Sequence, residues 1–133
     1  MVALRCYDPA SDGGGGGIHL WFNGLSPTYR AQIVATLELI SAENSLDELD
    51  DVEPLRGACE GLTEIIVDFL IGEQEIHIRI LGFPGPNRSE FTLLTGFEKT
   101  NDNAIYGFYC PQAHHRKEGV LRDGRRAPRC WFP

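Results

Sequence analysis

The sequence predicts an α+β domain: a small antiparallel or mixed β-sheet, two N-terminal helices packed on one of its faces, and a C-terminal helical segment. Three observations predict it. In TYRAQIVATLELISAE the apolar residues recur at helical spacing, with Ile33, Leu37 and Ile40 in one stripe and Val34 beside them. After residue 61 the period falls to two, in LTEIIVDFL, EIHIRILGF and FTLLTGF. Short turn-forming stretches, Gly72-Glu73-Gln74 and Pro84-Gly85-Pro86-Asn87, separate these three runs, which is the pattern of an antiparallel meander.

Taken in order, MVALRCYDP reads as a short strand, with Val2, Leu4 and Cys6 alternating against Ala3, Arg5 and Tyr7. SDGGGGG follows; five consecutive glycines pack no side chains and make a flexible loop. A phosphate-cradling loop would need a GKS/T ending or a GxGxxG opening a helix, and neither is present. IHLWFNGL is a short amphipathic turn or helix with Leu20, Trp21 and Leu25 available to the core. Ser26-Pro27 starts the main helix, with serine as cap and proline in the first turn. SLDELDDVEP spaces Leu46, Leu49 and Val52 by three and is expected to be a short helix with a solvated acidic face. Beyond the meander, Asn101-Asp102-Asn103 can cap a helix, which Pro111, Gly119 and Gly124 are expected to break.

The 133 residues suit one domain, 1–133, and a hydrophobic content of 42 % is enough for a core. No apolar run approaches a membrane span, and MVALRCYDPA lacks the basic flank and apolar core of a signal peptide, so the expected location is cytoplasmic. The four cysteines, at 6, 59, 110 and 130, form no CxxC pair and read as free thiols, buried or partly exposed. Charge is unevenly spread: residues 1–111 carry a net of −11 and residues 112–133 a net of +4, for −7 in all. Segment 112–133 is thus a basic patch or mobile arm able to contact phosphates through Arg116, Lys117, Arg122, Arg125 and Arg126, or else it folds back onto the acidic body.

Several side chains are candidates for chemistry. Arg79 lies on the strand face opposite Ile76, Ile78 and Ile80, sharing it with His77 and Leu81; it either serves a site or pairs with an acid of the neighbouring strand, Glu64 or Asp68. Lys99 ends the third strand, where a lysine can hold a phosphate or simply protect a sheet edge. His114 and His115 could transfer protons. With Cys110 they could form a partial metal site, although the usual ligand spacings are absent. Tyr106 and Tyr109 could stack on bases or pack the terminal segment.

The order of these elements, with LRGACEGLTEI, IHIRILGF and FTLLTGFEKT in succession, resembles the RelE/HigB superfamily of toxins, in particular its phage-derived HigB-like branch. LWFNGLSPTYRAQIVATLELI is similar to the N-terminal helices of that branch. The resemblance implies a RelE-like fold and the toxin of a type II toxin–antitoxin pair. Such a toxin is a ribosome-dependent mRNA endoribonuclease that uses no metal or cofactor and is held in check by an antitoxin, commonly of helix-turn-helix type. Arg79 and Lys99 match the family's strand arginine and the basic position after "GF", and would stabilise the phosphate as the 2′-hydroxyl attacks it. Tyr106 and His114 are the corresponding candidates for orientation or proton transfer. The alternative is a non-catalytic RelE-fold interaction module, or a degenerate phage-derived relative, that binds a protein partner. The acidic composition, and Ile66 where relatives often carry arginine, point that way.

Overall fold

The computed structural model describes residues 1–9, 17–43 and 49–130. In chain order these form β1 (Ala3–Cys6), α1 (Ile18–Asn23), α2 (Pro27–Ala42), β2 (Val52–Pro54), β3 (Thr63–Ile71), β4 (Gln74–Pro84), β5 (Glu90–Glu98) and α3 (Ala104–Arg122). Short 3₁₀ turns occupy Gly57–Cys59 and Gly124–Arg126. The architecture is α+β, a five-stranded mixed sheet with three helices among the described residues. The sheet order is β1-β5-β4-β3-β2; β3 to β5 are the antiparallel meander, and β1 lies parallel to β5.

Both faces of the sheet are covered. Leu4, Ile65, Val67, Ile78 and Ile80 share one core with Ile18 and Phe22 of α1 and with Ile33, Leu37 and Ile40 of α2. Ser26 caps α2 as its serine–proline pair predicts, its hydroxyl accepting from the Tyr29 N–H at 3.3 Å. That cap is worth ~1 kcal/mol. Each buried Leu or Ile is worth about 1.5–3 kcal/mol, so burial of the stripe decides where the helix sits. Because α1 begins at Ile18, its inward residues are Ile18 and Phe22, whereas Leu20, expected in the core, is exposed. The second core, on the opposite face, joins Leu62, Leu81, Phe83, Leu94 and Phe97 to Cys110, Ala113 and Val120 of α3.

Three expectations are corrected. Val52–Pro54 is a strand paired with Thr63–Ile65, not part of an acidic helix; the preceding residues 44–48, like the glycine stretch at 10–16, lie outside the described residues. α3 is unbroken from Ala104 to Arg122 with Pro111 inside it. The cysteines are not free thiols: Cys6 bonds to Cys130 and Cys59 to Cys110. Contacts distant in sequence bring each pair together, and no local spacing records them. They also fix the basic end against the body. Arg5 donates through Nε to the Ala127 carbonyl and through Nη2 to that of Gly124, both at 2.6 Å, and the Cys130 N–H reaches the Leu4 carbonyl at 3.1 Å. The segment after α3 thereby covers the outer edge of β1. No helix among the described residues is long and apolar enough to cross a membrane.

Candidate functional site

The β3–β4 hairpin builds the site. Its loop is Gly72-Glu73, two residues with Gly72 at positive φ, and this sets Asp68 opposite His77 and Ile66 opposite Arg79. On the face turned towards α3, Arg79 therefore lies diagonally between Glu64 and Asp68. Its Nε is 3.4 Å from Glu64 Oε1, and its Nη1 donates to Asp68 Oδ1 at 2.6 Å and to the Ile78 carbonyl at 2.9 Å. His77 Nδ1 lies 2.9 Å from the same Asp68 oxygen, and its Nε2 is 3.5 Å from the exposed Glu75 carboxylate.

β5 and α3 supply the rest. Lys99 follows β5 directly, and its backbone N–H donates to the His77 carbonyl at 2.7 Å, so the strand end is tied to the hairpin. Its ammonium lies 5.6 Å from the centroid of the Tyr106 ring, a cation–π distance. Tyr106, in the first turn of α3, packs edge-on against Phe97 and donates its hydroxyl to Glu64. Asp102 stabilises that turn by accepting from the Ala104 N–H at 2.9 Å; Asn103, expected as a capping side chain, makes no cap hydrogen bond.

These elements enclose a cavity of about 220 Å³ lined by His77, Arg79, Lys99, Thr100, Asn101 and Asn103. No carboxylate is among those six, although the chain carries a net charge of −7. Two cations, an imidazole, a hydroxyl and two amides present donors to the space, which suits an anion. Buried Glu64 and half-exposed Asp68 lie against Arg79, orienting it and holding it charged. Burial works against the guanidinium's charge, but the hydrogen bond and charge of Asp68, with Glu64 beside it, raise its pKa above the ordinary value. Desolvation pushes the Asp68 carboxyl upward, and hydrogen bonds from Arg79 and His77 outweigh it, leaving the group below the usual carboxylate range. Burial, then the Glu64 carboxylate, raises the Tyr106 phenol to about 12.

The predicted residues separate into two groups. Arg79 and Lys99 line the cavity and Tyr106 adjoins it. His114 does not: it lies two turns along α3 from Tyr106, ~12 Å at helical rise, with Nε2 3.1 Å from the Ala58 carbonyl. The basic residues of the C-terminal segment are largely committed to the fold. Arg116 donates to the Leu94 carbonyl at 2.8 Å and stacks over Tyr7, and burial lowers its pKa. Lys117 donates to the Gly61 carbonyl at 2.7 Å and lies over Phe83. Arg125 pairs with Asp123, Arg126 is half-buried, and Arg122 is exposed on the last turn of α3. The suggested cluster of Cys110, His114 and His115 is not a metal site here, since the Cys110 sulfur is bonded to Cys59. Tyr109 stacks on Phe97 with centroids 4.5 Å apart, which is the packing role.

Sequence reasoning missed His77, Thr100, Asn101 and Asn103 as lining residues. A usable signal existed for His77, two residues from Arg79 and hence on the same strand face. No family model, curated protein or solved structure matches this chain.

Proposed function

We propose that this chain is a RelE/HigB-like toxin that cleaves mRNA on the ribosome without a metal and is restrained by a cognate antitoxin, with a helix-turn-helix protein as the partner expected. The observation that carries the reading is a cavity that Arg79 and Lys99 line, with no carboxylate among its described lining residues, in a chain of net charge −7. The order of elements supports it too, strand, two helices, meander and helix, as the resemblance implies.

In this reading a backbone phosphate enters between Arg79 and Lys99, whose charges stabilise the pentavalent phosphorus formed when the 2′-hydroxyl attacks. Tyr106 remains a neutral phenol; its hydroxyl holds Glu64 and its ring supports Lys99, so it positions rather than accepts a proton. His114 has no part at the cavity. Arg122 is exposed on the last turn of α3, where it can meet a polyanion, while Arg125 is paired with Asp123. The place of action is the cytoplasm, where mRNA is translated. There the two cystines would meet a reducing milieu, which ordinarily keeps thiols open.

Induced expression tests the reading. The wild-type chain should arrest growth with cut mRNA, and Arg79→Ala or Lys99→Ala should each slow cleavage by about 10²–10³-fold. Unimpaired growth with intact mRNA overturns it.

One observation favours the second reading, a non-catalytic RelE-fold module that binds a protein partner. Arg79 is 7 % exposed and already lies between two carboxylates, an arrangement that holds a sheet together without any ligand. In that case the wild-type chain leaves mRNA intact while still co-purifying with a protein partner.

A further inference from the structure

We propose that His77 is the proton acceptor of the cleavage reaction and that Asp68 is its positioning residue, an inference that rests on the RNA-cleaving reading. Abstracting the 2′-hydroxyl proton requires a group at the cavity that takes up a proton near neutrality. Of the side-chain types lining the cavity, imidazole is the one suited to it: Arg79 and Lys99 are cations, and Thr100, Asn101 and Asn103 do not titrate in that range. The neighbouring candidates are otherwise engaged. Tyr106 donates its hydroxyl hydrogen bond to Glu64, Glu64 is buried against Arg79, and His114 lies against the Gly57–Cys59 turn.

The surroundings of His77 fit the role. Asp68 Oδ1 sits 2.9 Å from Nδ1 and also accepts from Arg79 Nη1 at 2.6 Å, so the carboxylate is anchored from a second side. A carboxylate facing Nδ1 places the N–H there and leaves the Nε2 lone pair to accept. The Glu75 carboxylate, 3.5 Å from Nε2, is mostly solvent-exposed; a pair of that kind is weak and yields to a substrate hydroxyl.

The O2′ proton passes to His77 Nε2 while the O2′–P bond forms and the P–O5′ bond breaks. The departing O5′ takes a proton from the Lys99 ammonium. The products are a 2′,3′-cyclic phosphate and a 5′-hydroxyl. The imidazolium then returns its proton to water, and Lys99 regains one from water.

The experiment compares wild type, His77→Asn and His77→Ala on mRNA bound to programmed ribosomes, with and without added imidazole. His77→Asn keeps a donor for Asp68 but cannot accept a proton, so it separates structure from catalysis. Both variants should cleave ~10²–10⁴-fold more slowly, and imidazole should restore part of the rate to His77→Ala alone. A wild-type rate in His77→Asn, or no rescue of His77→Ala, overturns the role of His77 while wild-type cleavage leaves the toxin reading standing. Intact mRNA with the wild-type chain overturns both.

Discussion

Gly96 shows at the scale of one residue how a strand position can be set by a partner remote in sequence. It stands opposite Ile80 on the face covered by α1, and a Cβ at that position would overlap the indole ring of Trp21. The glycine is therefore a requirement of packing, while the adjoining Phe97 and Lys99 face the other core and the cavity. Gly96→Ala should destabilise the protein by ~1–3 kcal/mol, read as a lower urea midpoint with an unchanged slope. Trp21→Leu in the same chain should remove part of that penalty, because the two residues touch and their effects couple. An alanine variant as stable as wild type would show that the indole shifts freely. Nothing within FTLLTGFEKT records this, since Trp21 belongs to another element. The contact between Asp68 and His77, in contrast, was within reach. A two-residue loop at Gly72-Glu73 puts them opposite each other, and reading the turn as three residues displaces the register by one.

Among the elements, α2 and α3 differ in how far local sequence determines them. In α2 the cap, the proline and the stripe of Ile33, Leu37 and Ile40 agree, and the helix forms where they place it. In α3 the local signals oppose the outcome: Pro111 lacks the N–H that would bond the Gly107 carbonyl, and Gly119 adds backbone freedom. Tertiary contacts prevail. Cys110, Ala113 and Val120 are buried against the sheet, and the neighbouring cystine to Cys59 fixes the helix beside the proline. Pro111 itself is exposed, so its replacement disturbs no core contact. Pro111→Ala should therefore stabilise the oxidised protein, by at most ~3 kcal/mol. Part of that gain is offset because proline also restricts the unfolded chain. A urea midpoint that stays level or falls would mean that the helix has already adjusted around the ring.

For the molecule as a whole, the Cys6–Cys130 cystine joins what the charge distribution sets apart, an acidic body and a basic end, while Cys59–Cys110 ties α3 to the turn before β3. They link residues 124 and 51 positions apart, separations at which no spacing motif operates, so their absence from the sequence reading follows from their being products of the fold. Their consequences should differ. Chain-entropy arguments assign ~2–4 kcal/mol to a typical cystine and more to the longer loop, so Cys6–Cys130 should stabilise more than Cys59–Cys110. Cys59–Cys110, however, holds α3 one turn after Tyr106, whose hydroxyl and ring support Glu64 and Lys99 at the cavity. Replacing Cys6 and Cys130 together by alanine should lower the melting temperature most and, on the proposed toxin reading, leave RNA cleavage near the wild-type rate below the transition. Replacing Cys59 and Cys110 should lower the melting temperature less but slow cleavage more, because a loosened α3 no longer backs Lys99. Thermal unfolding with and without dithiothreitol, beside single-turnover cleavage of ribosome-bound mRNA by each pair variant, separates the two effects. Equal melting temperatures in oxidised and reduced protein would show that packing alone holds the basic end. Neither cystine would then be needed to keep Arg79 and Lys99 on one cavity.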